Sequence, residues 1–95
     1  MGISPLPRTV NFGGYRGKIV DEVWVQEDFE DLDYRFFIQQ IRWNDGDESI
    51  RIAYYTRPHG TDDTQWNFAN RAPNIYPETL GELIRRAMQR NWFHI

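Results

Sequence analysis

The chain has 95 residues, 40% apolar and 26% charged, the size and balance of one soluble domain with a single modest core. It has no cysteine, which excludes disulfides, iron–sulfur clusters and thiolate zinc sites, and no apolar run long enough for a transmembrane helix. A formal charge of -3 disfavours nucleic-acid binding driven by overall electrostatics. Two features are unusual: aromatics reach 16%, and the basic residues are ten arginines and one lysine. Both types are enriched at interfaces and stack on nucleobases.

The segment 1–17 contains Pro5, Pro7, Gly13, Gly14 and Gly17 and reads as an irregular arm, with at most one short strand from Arg8 to Phe12. Met1 to Leu6 lacks the basic and apolar regions of a signal peptide, and Leu6 stands where a myristoylation signal carries Ser or Thr. A cytoplasmic protein is expected. The glycines from Gly13 to Gly17 do not join a strand to a helix, so they do not form a phosphate cradle.

Residues 18–26 are β-branched and aromatic and read as a strand. Seven acids run from Asp21 to Asp33 without a base between them: Asp21, Glu22, Glu27, Asp28, Glu30, Asp31 and Asp33. Such a run is ordinarily a solvated edge, or else a patch for a basic partner or cation. It lacks the central glycine and the closing glutamate of a calcium loop.

Strands are expected at 34–43 and 48–57, joined through Asn44-Asp45-Gly46-Asp47. Placing Asp45-Gly46 at the centre of a type I′ turn pairs Asn44 with Asp47 and sets the register. Trp43, Ile41, Phe37, Ile50, Ile52 and Tyr54 then share one face. Phe36, Ile38, Ala53 and Tyr55 share the other, flanked by Tyr34, Arg51 and Arg57. A shorter strand is expected from Thr64 to Asn70, then a connector containing Pro73.

The helix starts at Pro77, which suits a first helical position. Leu80, Leu83, Ile84, Ala87 and Met88 recur at three and four to make one apolar face, and Glu82 and Arg86 form an i,i+4 pair. Trp92 and Phe93 are expected to fold back onto the sheet. The expected fold is α+β: one domain, a four-stranded antiparallel meander with one C-terminal helix packed on one face. The core is expected to be Phe37, Ile41, Ile50 and Ile52 under Leu80, Leu83, Ile84, Ala87 and Met88.

One helix covers one face, so the other is expected to be a binding surface made of Tyr34, Phe36, Ile38, Arg51, Ala53, Tyr55 and Arg57. The function expected from this is a non-enzymatic protein–protein interaction module, most simply a homodimer, with no cofactor and no membrane partner. Single-stranded nucleic acid stacked on the same rings is the alternative. A third reading is a small enzyme or metal site at His59 with Asp62 and Asp63, against which stands ordinary Pro-Gly-Asp turn chemistry. The competing use of the second face is intramolecular: the N-terminal arm, with Leu6, Val10, Phe12 and Tyr15, folds over it.

Overall fold

The computed structural model describes residues 2–93; Met1, His94 and Ile95 lie outside them. Strands β1 (Arg8–Phe12), β2 (Tyr15–Asp28), β3 (Leu32–Trp43), β4 (Glu48–Pro58) and β5 (Asn67–Ala69) form one antiparallel sheet in chain order. Helix α1 (Pro77–Met88) follows. The sheet is a curled half-barrel of five strands rather than a four-stranded meander. The additional strand comes from the arm. Gly13 and Gly14 sit at φ 53° and 88°, and two successive residues at positive φ make the type I′ turn. Phe12 therefore pairs with Tyr15, and Arg8 pairs with Ile19.

The β3–β4 turn is a different kind. Gly46 is at φ 93°, whereas Asn44 and Asp45 are not at positive φ. Gly46 N donates to Trp43 O, Trp43 N donates to Asp47 O, and Asp45 Oδ1 accepts from Asp47 N. That is a type I turn closed by a glycine bulge, with a three-residue loop where the sequence suggested two. The extra loop residue slips the pairing by one: Phe36 faces Tyr54, Ile38 faces Ile52 and Phe37 faces Ala53. Because side chains alternate, one slip exchanges faces.

Helix α1 therefore covers Phe36 and Ile38, not Phe37 and Ile41. The core on that side joins Val23, Phe36 and Ile38 to Leu83, Ala87 and Trp92. Trp92 folds back as expected and donates its indole N–H to Asp21 Oδ2 at 2.9 Å, while Phe93 stays half-exposed. Glu82 pairs with Arg85 and Arg86, whose guanidiniums hold its carboxyl down to about 2.

The expected core needs correction at six places. Ile50, Ile52, Ile84 and Met88 are 41%, 46%, 47% and 50% exposed. The helix lies across β2 and β3 and leaves β4 uncovered, so its Ile84–Met88 flank and the Ile50–Ile52 strip both meet water. Phe37 and Ile41 are buried, but on the opposite face.

That opposite face carries a second core. Ile19, Phe37, Ile41 and Ala53 are buried there with Trp66, which is 1% exposed. Trp66 directly follows a single 3-10 turn, Asp63–Gln65, where a continuous strand was expected. The arm reaches the same place: a Cβ on Gly2 would lie 2.8 Å from the Asp63 carbonyl oxygen. Phe12 and Tyr15 stay exposed.

Leu83→Ala should cost about 2–5 kcal/mol, the range for an emptied core site. Ile52→Ala should cost about 0.5 kcal/mol or less, as surface changes do. Urea denaturation of the two variants checks this; equal losses would place the helix over β4.

Candidate functional site

The seven residues expected on one surface lie on two. Tyr34, Phe36 and Ile38 project to the helix side, where Phe36 and Ile38 are 4% and 5% exposed. Arg51, Ala53, Tyr55 and Arg57 project to the other side. The slipped register is the reason.

The second face is a stack of cations and rings. The Arg35 guanidinium lies 4.0 Å from the Trp24 ring centroid and 4.6 Å from that of Trp66, and Arg57 lies 4.5 Å from Trp66. Such stacking is strongest where water is excluded. Buried Asp33 accepts from Arg57 Nε at 2.8 Å and from His59 Nδ1 at 2.7 Å, and Arg57 also pairs with Asp63. Next along the sheet, fully buried Gln39 donates to Glu22 and accepts from Arg51, and Arg8 pairs with Glu22. Each of these cations thus has a partner within the chain, although the buried Arg8 Nε is left without one.

His59, Asp62 and Asp63 do not converge. His59 holds Asp33, Asp62 caps the 3-10 turn by accepting from Thr64 N, and Asp63 takes Arg57 and the Trp66 indole. No group of three or more His, Cys, Asp or Glu able to hold a metal occurs among the described residues. Asp33 was read only as one of the acid run; its pairing across strands has no local signal.

The helix side holds a pocket of about 700 Å³ between the β2–β3 hairpin tip and the connector before α1. Its walls are Phe29, Tyr34, Phe36, Tyr54 and Tyr76, with Glu30 and Asp31 at the hairpin tip. The Tyr34 ring stacks on Phe36 at 5.7 Å and on Tyr54 at 6.0 Å, and Phe29 meets Tyr34 edge-on at 5.4 Å. Tyr34 and Phe36 were singled out from sequence; Phe29, Tyr54 and Tyr76 were missed. With the three-residue loop, the alternation places Tyr54 beside Tyr34 and Phe36. Phe29 and Tyr76 come from loops with no period to read.

A third feature is the free edge of β4. Its outer side pairs with β5 only from Tyr54 to Thr56, which leaves Glu48–Ala53 unpaired there among the described residues. Ile50 and Ile52 lie along this stretch.

No protein-family model, no curated protein and no solved structure matches the chain significantly.

The Asp33 carboxylate, first by hydrogen bonding and then by its charge, raises His59 above its ordinary 6.5, and His59 with Arg57 lowers Asp33 below 3.8. A raised histidine stabilises the fold fully below 6.5 and loses this as pH climbs through its folded value. A lowered aspartate stabilises fully above 3.8 and loses this as pH falls through its folded value. The pair is therefore at full strength between these limits. An NMR titration should place the His59 ring above 6.5, and Asp33→Asn should return it towards 6.5. A parent ring that titrates at or below 6.5 would contradict the pairing.

Proposed function

We propose that this chain is a non-enzymatic interaction module that self-associates, through the uncovered stretch of β4 instead of the sheet face expected from sequence. One observation carries the reading: among the described residues Glu48–Ala53 has an unpaired outer edge and, on its helix side, two half-exposed isoleucines. A free edge offers a row of backbone donors and acceptors that another strand can pair with. Natural edges are usually blunted by inward charges or proline; here Glu48, paired with Arg42, stands at the start of the stretch, Ile50 and Ile52 follow it on the same face, and Arg51, held by Gln39, lies on the other.

A second copy of the chain fits this edge. A two-fold axis through Ile50 would set β4 antiparallel to its copy, with Ile50 on Ile50 and Ser49 against Arg51. The register one pair further on would put Arg51 opposite its own copy, which like charges disfavour. Such an isologous contact uses the β4 edge of both copies and closes at two.

The nucleic-acid alternative has less support. Arg35 and Arg57 are already stacked on tryptophans, and Arg57 and Arg51 hold Asp33 and Gln39. Little positive charge is left for phosphate, and the chain is net acidic. The His59 reading has less support too, since its ring is taken up by Asp33.

Sedimentation equilibrium should give the dimer mass for the parent. Ile50→Lys and Ile52→Lys should each give a folded monomer with nearly unchanged melting, because both side chains are half-exposed in one copy. A parent that stays monomeric at high micromolar concentration, or a dimer that survives both substitutions, overturns the reading.

A further inference from the structure

We infer that the aromatic pocket on the helix side binds a small quaternary ammonium compound. The cavity of about 700 Å³ falls within the range of small-molecule sites, roughly 300–1,000 Å³. Five of its lining residues are aromatic. The Tyr34, Phe36 and Tyr54 centroids form a triangle with sides of 5.7, 6.0 and 5.9 Å, and the planes of the two pairs that involve Tyr34 are tilted by only 16° and 18°. A ring face carries negative quadrupole density and attracts a cation.

Charge points the same way. Two acids, Glu30 and Asp31, line the pocket, and no basic residue does. Neither carboxylate has an ion-pair partner among the described residues. Glu27 sits directly across the sheet from Tyr34 and adds to the same field. The positive end of α1 at Tyr76 opposes a cation, but Glu78 in the first turn offsets it and Pro77 removes one N–H donor. The four ring–cation pairs among the described residues all lie on the second face, so the rings of this pocket are left to a cation from outside.

The quaternary class follows from the donors and acceptors on offer. A primary ammonium carries three N–H groups that each need an acceptor, and beyond the two rim carboxylates and the tyrosine hydroxyls these walls offer mostly ring and aliphatic carbon. A methylated nitrogen needs no hydrogen bond. It spreads its charge over methyl groups that fit against ring faces, while the rim carboxylates balance the charge at longer range. The site lies beyond the end of the free β4 edge, so its occupancy does not depend on self-association.

The test compares choline with 3,3-dimethyl-1-butanol, its neutral carbon isostere, by NMR titration of the parent. Choline should shift Tyr34, Tyr54 and Phe29 ring signals and bind at least about fivefold more tightly than the isostere, as expected of a ring–cation contact. Glu30→Gln with Asp31→Asn should weaken choline about threefold or more at low salt and leave the isostere unchanged, because screening-sensitive charge is all that is removed. Tyr76→Ala removes one wall; its side chain is 60% exposed and makes no capping bond, so the fold should persist while both probes weaken. Equal binding of the two probes overturns the proposal, as does no shift with choline. A trimethyl-lysine peptide that binds more than tenfold tighter than choline overturns the small-molecule assignment. The parent comparison decides the matter even where a variant melts early.

Discussion

The loop from Asn44 to Gly46 decides where every side chain of the two central strands goes. Gly46 alone takes positive φ, so the loop has three residues and the strands pair as Phe36 with Tyr54 and Phe37 with Ala53. Phe36 and Ile38 then enter the helix-side core, and Phe37, Ile41 and Ala53 enter the opposite one. A two-residue loop would turn Arg51 and Arg57 to the helix side, away from the Gln39 and Asp33 side chains they hold. The loop and the polar network therefore specify the same register from two directions.

A sheet that buries both faces needs cover on both, and a chain of 95 residues has one helix to give. The second face is covered by a tryptophan in place of a helix. Trp66 lies between Arg35 and Arg57, and these two cations reach back to the sheet. Arg57 and His59 close over Asp33, so a carboxylate that would be costly to bury alone is charged and doubly bonded. The N-terminal arm ends against the turn that delivers Trp66. The aromatics and arginines that looked like an interface from composition are, on this face, the packing of the domain itself.

What could be read in advance follows physical range. The helix was legible because Pro77, its charge order and its three-and-four spacing are all local. The strands from 34 and from 48 were legible from composition, and Trp92 from its apolarity. The register was not, because an Asp-Gly step serves both a two-residue and a three-residue loop, and the choice depends on which residues take positive φ. Residue types at 36 and 38 suit either face, so nothing local corrected the slip. The β1–β2 hairpin was underestimated because Gly13-Gly14 was read as punctuation, although adjacent glycines are what a type I′ turn favours. The pairings of Asp33 with His59 and of Trp66 with Arg35 span 26 and 31 residues and leave no pattern along the chain. The aromatic pocket was half legible: Tyr34 and Phe36 stood out, but the loop residues Phe29 and Tyr76 had no period to place them.

The two surfaces left on the helix side come from one shortage. Helix α1 spans twelve residues and rests on β2 and β3, so the helix-side face of β4 is only partly covered. Along that strand the uncovered side chains change character. Ile50 and Ile52 are aliphatic and lie where the edge is free; Tyr54 is aromatic and lies where β5 begins to pair. Three residues of β5 thus divide the strand. Where β5 is absent, backbone groups are available and aliphatic side chains suit strand addition. Where β5 is present, the outer backbone groups of β4 are taken and no further strand can pair with β4 there. The short fifth strand keeps one uncovered face from being a single surface.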